Sequence, residues 1–326
     1  MCDKHAPGGD QTMRPLTKRI VHRSADALPR AAVDELFRQW MGQQHVALCL
    51  HRVHQGPRRP GEFSPVLSIS ADELDTLIER ALLTRPEARD RWLTVSFDDG
   101  YEDAARYVRV RARRYPQVDW LFFVCPEKVE KQAGFRWDLL ENAGPDQQDA
   151  VMTAPVDLSG ENERPELRAL PRRPEFRLAD LELCRELARL PNVRLGNHTN
   201  VHQNPLRMTD EQAAEEYGRA HRDYVRLFGP QEHFAFPFGT PENEFSGRHV
   251  AMLRRLSDGE LWSTEGRPFS PEERGPGAVI PRFPVDGRRT AHQVLFWMAV
   301  SAMNHQVRGT PYSYPKPPRP LSAVAA

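Results

Sequence analysis

Short apolar runs, separated by amphipathic helical stretches and ending in residues able to do chemistry, most constrain how this chain folds. Runs at 45–53, 94–97, 118–124, 193–195, 234–238 and 278–285 are far shorter than the ~20 residues of a membrane span. The run at 45–53 reads as a buried strand, those at 118–124 and 234–238 as apolar strands, and those at 94–97 and 193–195 as short β-type runs. Between them lie helical periodicities. One spans Ala27 to Gln43, with Val33, Leu36, Phe37, Trp40 and Met41 on one face. Others begin at Ser70 and Thr209, each with a Glu or Gln three residues later as a capping box, and further helices are expected over 102–114, 179–190 and 249–256. Strand, helix, strand in repetition gives parallel sheet, and five to seven such strands predict an α/β fold of (β/α) barrel type, complete or incomplete.

Bulk properties narrow the function classes. Among 326 residues, Lys plus Arg and Asp plus Glu each total 45, so no net field favours nucleic acid or an anionic membrane. Cys2, Cys49, Cys125 and Cys184 are scattered, as small buried residues of a reducing compartment are, and form no Cys-x-x-Cys pair. Residues 1–30 lack the apolar core of a secretory signal, which makes the cytoplasm the expected location. The most apolar run, Val294 to Val300, is a buried helix or strand, and no membrane span is expected. The domain reading is a flexible segment at 1–25, a barrel domain at 26–305 with a Pro- and charge-rich loop insertion at 142–177, and a Pro-rich tail at 306–326.

The chemistry concentrates at two places. Thr94-Val95-Ser96-Phe97-Asp98-Asp99-Gly100 delivers adjacent carboxylates to a strand end, and His198 and His202 stand four apart after the strand near residue 195. Acids at a strand end are common simply because they satisfy a helix N-terminus, and a strand-end histidine such as His51 is usually structural. A carboxylate with a His-x-x-x-His pair, however, is a three-ligand set that leaves positions open on a metal. His51, Asp98 and Asp99, His198 and the Pro237-Phe238-Gly239 turn all follow expected strands, so a single barrel mouth can gather them.

Ser96-Phe97-Asp98-Asp99-Gly100-Tyr101 resembles the first motif of the NodB-homology polysaccharide deacetylases (carbohydrate esterase family 4), and His198-Thr199-Asn200-Val201-His202 resembles that family's His-[Ser/Thr]-x-x-His. Leu121 to Val124, Phe135 to Leu140 and Phe236-Pro237-Phe238-Gly239 add similarity, over about residues 45 to 286. The resemblance implies a distorted (β/α)7 barrel and a hydrolase that removes an N-acyl group from an amino sugar or polysaccharide. It implies a divalent metal on Asp99, His198 and His202, with zinc preferred over cobalt, manganese or nickel. Asp98 would be the base that deprotonates the attacking water, and the Phe238 N–H an oxyanion donor. Most of the family protonates the leaving amine with a late His-Asp pair, which this chain lacks after residue 239. Branches with circularly permuted motifs place that histidine on the first strand, and Leu50-His51-Arg52-Val53 looks like theirs, which makes His51 the expected acid. Where the third motif often has arginine this chain has Ala235, and Arg282 in Pro281-Arg282-Phe283 is the candidate to reach in instead.

Alternatives remain on the sequence alone. A glycosidase needs two carboxylates ~5 to 9.5 Å apart, which neighbours pointing to opposite strand faces supply poorly. A deacylase of a cytosolic small molecule or lipid-linked sugar keeps the chemistry, and an inactive carbohydrate-binding relic keeps only the fold. Trp120, Trp137 and Trp262 offer stacking surfaces but are expected in the core, and His45, His54, His233 and His249 are expected to be ordinary structural residues.

Overall fold

The computed structural model describes residues 25–56, 66–135, 138 and 176–309. The N-terminal segment up to residue 24, most of the 142–177 insertion, the Pro-rich tail beyond 309, Cys2 and Trp137 lie outside the described residues. In chain order the strands are β1 (Val46–Leu50), β2 (Arg52–His54), β3 (Ser68–Ser70), β4 (Leu93–Phe97), β5 (Asp119–Val124), β6 (Val193–Asn197), β7 (His233–Ala235), β8 (Glu260–Ser263), β9 (Val279–Pro281) and β10 (Phe283–Pro284). The helices are α1 (Arg30–Met41), α2 (Ala71–Leu83), α3 (Glu102–Arg114), α4 (Pro126–Lys131), α5 (Leu181–Ala188), α6 (Asp210–Phe228), α7 (Gly247–Arg254) and α8 (Ala291–Arg308).

Every pairing in the main sheet is parallel, in the order β10-β1-β4-β5-β6-β7-β8-β9. Its two outer members are one stretch of chain: Val279–Pro281 pairs with β8, and Phe283–Pro284, one residue on, pairs with β1. The segment 279–284 is therefore the seventh stave and closes the ring, with Arg282 at the changeover. This is an α/β barrel of the expected (β/α)7 type, and β2 pairs with β3 as a small parallel ribbon beside it.

Strand periodicity divides the core in two. Val46, Leu48, Val95, Phe97, Trp120 and Phe122 pack outward with the helices, whereas Ala47, Leu121, Phe123, Ala235, Trp262 and Ile280 fill the interior. Trp120 and Trp262 are fully buried, which places both in the core as expected. Thr209 and Gln212 form the reciprocal box that opens α6. At Ser70 only half of the box forms: its hydroxyl accepts from the Glu73 amide, but the Glu73 carboxylate turns away to accept from the Ala291 amide at the start of α8. The apolar run at 294–300 is part of α8, which packs on α1 and α2. No helix among the described residues is long and apolar enough to cross a membrane.

At the amino-terminal mouth a cleft of about 500 Å³ is lined by Thr94, Asp119, His233, Glu260 and Arg274 among others. Burial drives His233 down to about 4, although Glu260 at 3.6 Å pulls the other way. The unfolded chain protonates this imidazole near 6.5, so the neutral folded form loses its advantage as pH falls from 6.5 towards 4. Relative to His233→Asn, the unfolding free energy of the natural chain should therefore drop by up to about 3 kcal/mol across that window in urea titrations. Gly196 gives a second expectation, since a Cβ there would meet the Phe123 ring at 2.3 Å. Gly196→Ala should lower stability by about 1–3 kcal/mol, read as a fall in Tm.

Candidate metal centre

The carboxyl ends of the staves meet at the opposite mouth. Asp98 and Asp99 follow β4, His198 follows β6, Phe238 lies just past β7, and His51 follows β1. The two acids do not point to opposite faces as the strand pattern predicts. Asp99 leaves the strand with φ 73° and Gly100 follows at 83°, so the chain turns and both carboxylates approach His198 Nε2: Asp98 Oδ2 at 3.8 Å, Asp99 Oδ1 at 3.6 Å. Glycine is required at 100, where a Cβ would also press on Val124 at 3.3 Å.

The histidine turn is built from polar side chains around a strained backbone. Thr199 and His202 both adopt left-handed φ, 64° and 54°, at a cost of about 1–2 kcal/mol each. Asn197 Oδ1 accepts from the Thr199 amide, Thr199 Oγ1 accepts from the His202 amide, and Glu216 of α6 accepts from the amides of Asn200 and Val201. Asn200 Oδ1 accepts from the Glu127 amide in α4, and its Nδ2 donates to Asp223 in α6. Sequence inspection passes over Glu216. Its signal was present, because it lies between Ala213, Tyr217 and Ala220 on the buried face of the helix.

Asp99, His198 and His202 converge, with their ligating atoms all within 4.8 Å of one another. Asp99 Oδ1 is 3.2 Å from His202 Nε2 and 3.6 Å from His198 Nε2, close to the roughly 3.4 Å between ligand atoms of tetrahedral zinc. His198 Nδ1 donates to the Ala235 carbonyl at 2.8 Å, which turns the Nε2 lone pair towards the carboxylate. Burial drives His198 down to about 4, so at neutral pH this nitrogen is an acceptor facing an acceptor. Asp99 Oδ1 is buried and has no hydrogen-bond partner among the described residues. Two facing lone pairs with an unsatisfied carboxylate oxygen are what a cation between them would resolve, and the donor set fits a divalent ion. The rings of Phe135 and Phe238 stand 5.7 and 5.1 Å from that of His202 and exclude water around it.

Asp98 is held differently. Arg282, fully buried, grips it with two parallel bonds of 2.5 and 2.9 Å, and also donates to Ser96 Oγ and the Ser263 carbonyl. Burial would raise the Asp98 carboxyl, but the Arg282 charge, then His198 and the Arg282 hydrogen bond, outweigh it and hold it well below the usual carboxylate range. The guanidinium lies 5.1 Å above the Phe123 ring, and Ala235 packs in the same interior cluster as Phe123. Arg282 thus reaches into the barrel interior from the closing stave. Cys49 Sγ completes the set at 3.4 Å from Asp98.

His51, half-buried, lies within electrostatic reach of both Asp98 and Asp99. Phe238 adopts φ 64° in a turn pinned by Thr264, whose hydroxyl donates to the Phe238 carbonyl and whose amide donates to that of Gly239. Asp138 accepts from the Tyr101 hydroxyl and the Phe135 amide at the rim of the same mouth. Trp262 and His249 take structural positions, the latter capping α7.

No family model matches the sequence, and no curated protein matches it. Solved structures do match. The Streptococcus pyogenes deacetylase PplD in complex with acetate superposes with a TM-score of 0.53 at 12% identity, over 78% of this chain and 98% of that one. A polysaccharide deacetylase from Bacillus cereus gives 0.51 at 13% identity, over 78% of this chain and 69% of that one. A putative polysaccharide deacetylase from Bacillus anthracis gives 0.50 at 12% identity, over 77% and 68%. The fold that the sequence motifs implied is therefore the fold of solved polysaccharide deacetylases.

Removing Arg282 leaves a buried carboxylate unpaired. Arg282→Met should lose about 3–5 kcal/mol of stability, and Asp98→Asn combined with Arg282→Met should recover a large part of it in a denaturant-based double-mutant cycle.

Proposed function

We propose that this chain, carrying the fold of the polysaccharide deacetylases, is a metal-dependent hydrolase that removes an N-acetyl group from an amino sugar. The observation that carries the proposal is the split between the two acids. Asp99 shares its oxygen with two imidazoles in a cation-ready arrangement, while Asp98 beside it is committed to Arg282 and stays off that ligand set. Asp99, His198 and His202 would hold the divalent ion, which when bound polarises the amide carbonyl and acidifies water. Zinc suits the two nitrogens and one oxygen, with cobalt, manganese and nickel as alternatives.

The remaining steps belong to the chain's own groups. Asp98 takes the proton of the attacking water, oriented by the fork of Arg282, which also stops it from swinging towards the imidazoles. The leaving amine must be protonated to depart, and the proton taken from the water supplies it. His51, within electrostatic reach of both acids, is the group to deliver it. The Phe238 amide, at the positive-φ turn past β7, would donate to the oxyanion.

A glycosidase would need one carboxyl held protonated as acid, and both acids here are shifted the other way. Substrate length separates the polysaccharide reading from a small-molecule or lipid-linked one met in the cytoplasm. Acetate release should be measured from N-acetylglucosamine oligomers and from monomeric N-acetyl sugars. Chelation should abolish it and zinc or cobalt restore it, whereas a binding relic would keep sugar affinity through chelation and release nothing. Asp98→Asn should reduce turnover by at least about a hundredfold while the protein retains its metal. Loss of the metal in that variant would mean that the roles of the two acids are reversed.

A further inference from the structure

We propose that Glu216 is a positioning residue for the metal centre, its buried carboxylate holding the 198–202 turn in the backbone conformation that brings His198 and His202 onto one ion. The inference rests on the metal-dependent reading above and assigns a group that the proposed chemistry leaves unused. Glu216 is 1% exposed, and one oxygen accepts from the consecutive amides of Asn200 and Val201 at 2.6 and 2.9 Å. Consecutive N–H groups beside a left-handed residue, here Thr199, form a concave anion-binding nest, and the protein fills it with its own carboxylate.

The second oxygen takes a bond from Arg219 at 3.1 Å, so the anion is balanced from the helix that carries it. An apolar residue would pack on this face of α6 without the penalty of burying an anion. What the anion supplies instead is a hold on the two amides that lie between the histidines, in a turn where two non-glycine residues sit at positive φ. Glu216 touches neither ligand nitrogen, and acts only through the backbone.

The test uses the full chain and cobalt(II) titration followed by visible absorbance, with melting of the metal-free proteins as a control. Glu216→Leu removes the acceptor and should weaken cobalt binding 10–100-fold with a changed d–d spectrum. Glu216→Gln keeps an acceptor oxygen and should stay within a few-fold of the natural chain. Glu216→Asp withdraws the oxygen by one methylene and keeps the charge, so it decides the matter if the leucine variant does not fold; a loss of about tenfold is expected. Binding by the aspartate and leucine variants within twofold of the natural chain overturns the proposal, as does a glutamine variant impaired as fully as leucine. A natural chain that takes up no cobalt or zinc overturns the metal-centre reading together with this one. Equal binding by all variants, with the natural chain loaded, overturns this one alone.

Discussion

A guanidinium and a carboxylate, both withdrawn from water inside the barrel, are the interaction on which the rest of this architecture turns. Burying either alone is prohibitive, since desolvation costs several kcal/mol per ion even after relaxation. Together, with two parallel bonds and Ser96 and Ser263 each taking a further donor, Arg282 and Asp98 become a fixed dipole at the floor of the mouth. The pair joins β4 to the closing stave across the interior, above a layer of Leu121, Trp262 and Ile280 that keeps the charge apart from the amino-terminal mouth.

Around that floor the polypeptide is bent against its preferences. Asp99, Thr199, His202 and Phe238 are four of the six described non-glycine residues with positive φ, and all four line this mouth. Such backbone is tolerated where surrounding bonds over-determine it. Here those bonds come from Asn197, Thr199, Glu216 and Thr264, none of which belongs to the ligand set. Imidazole direction is fixed in the same indirect way, by the Ala235 carbonyl behind His198.

Much of this was legible from residue order. β1 and β5 announce themselves because they are apolar on both faces, β4 by its β-type run into the acid doublet, and the capping pair at Thr209 and Gln212 marks the start of α6. β8 escaped because Glu260 to Ser263 is short and polar at both ends, and β2 and β3 because three residues carry no period. The acid doublet was found by type but misjudged in direction, since only the backbone turn at Asp99 brings the second carboxylate round. Arg282 could be inferred only from the gap at Ala235, because nothing local marks an arginine in Pro281-Arg282-Phe283 as buried. Glu216 could have been found from its place on an apolar helix face, a position where an acid needs a reason.

That the ring is shut by the same six residues that carry the guanidinium ties two events together in time. A chain growing from its amino terminus acquires its acids and imidazoles first and residue 282 only later, so the pocket's ionic floor is laid at the moment the last stave docks. A chain without this stave would hold Asp98 without its counter-charge.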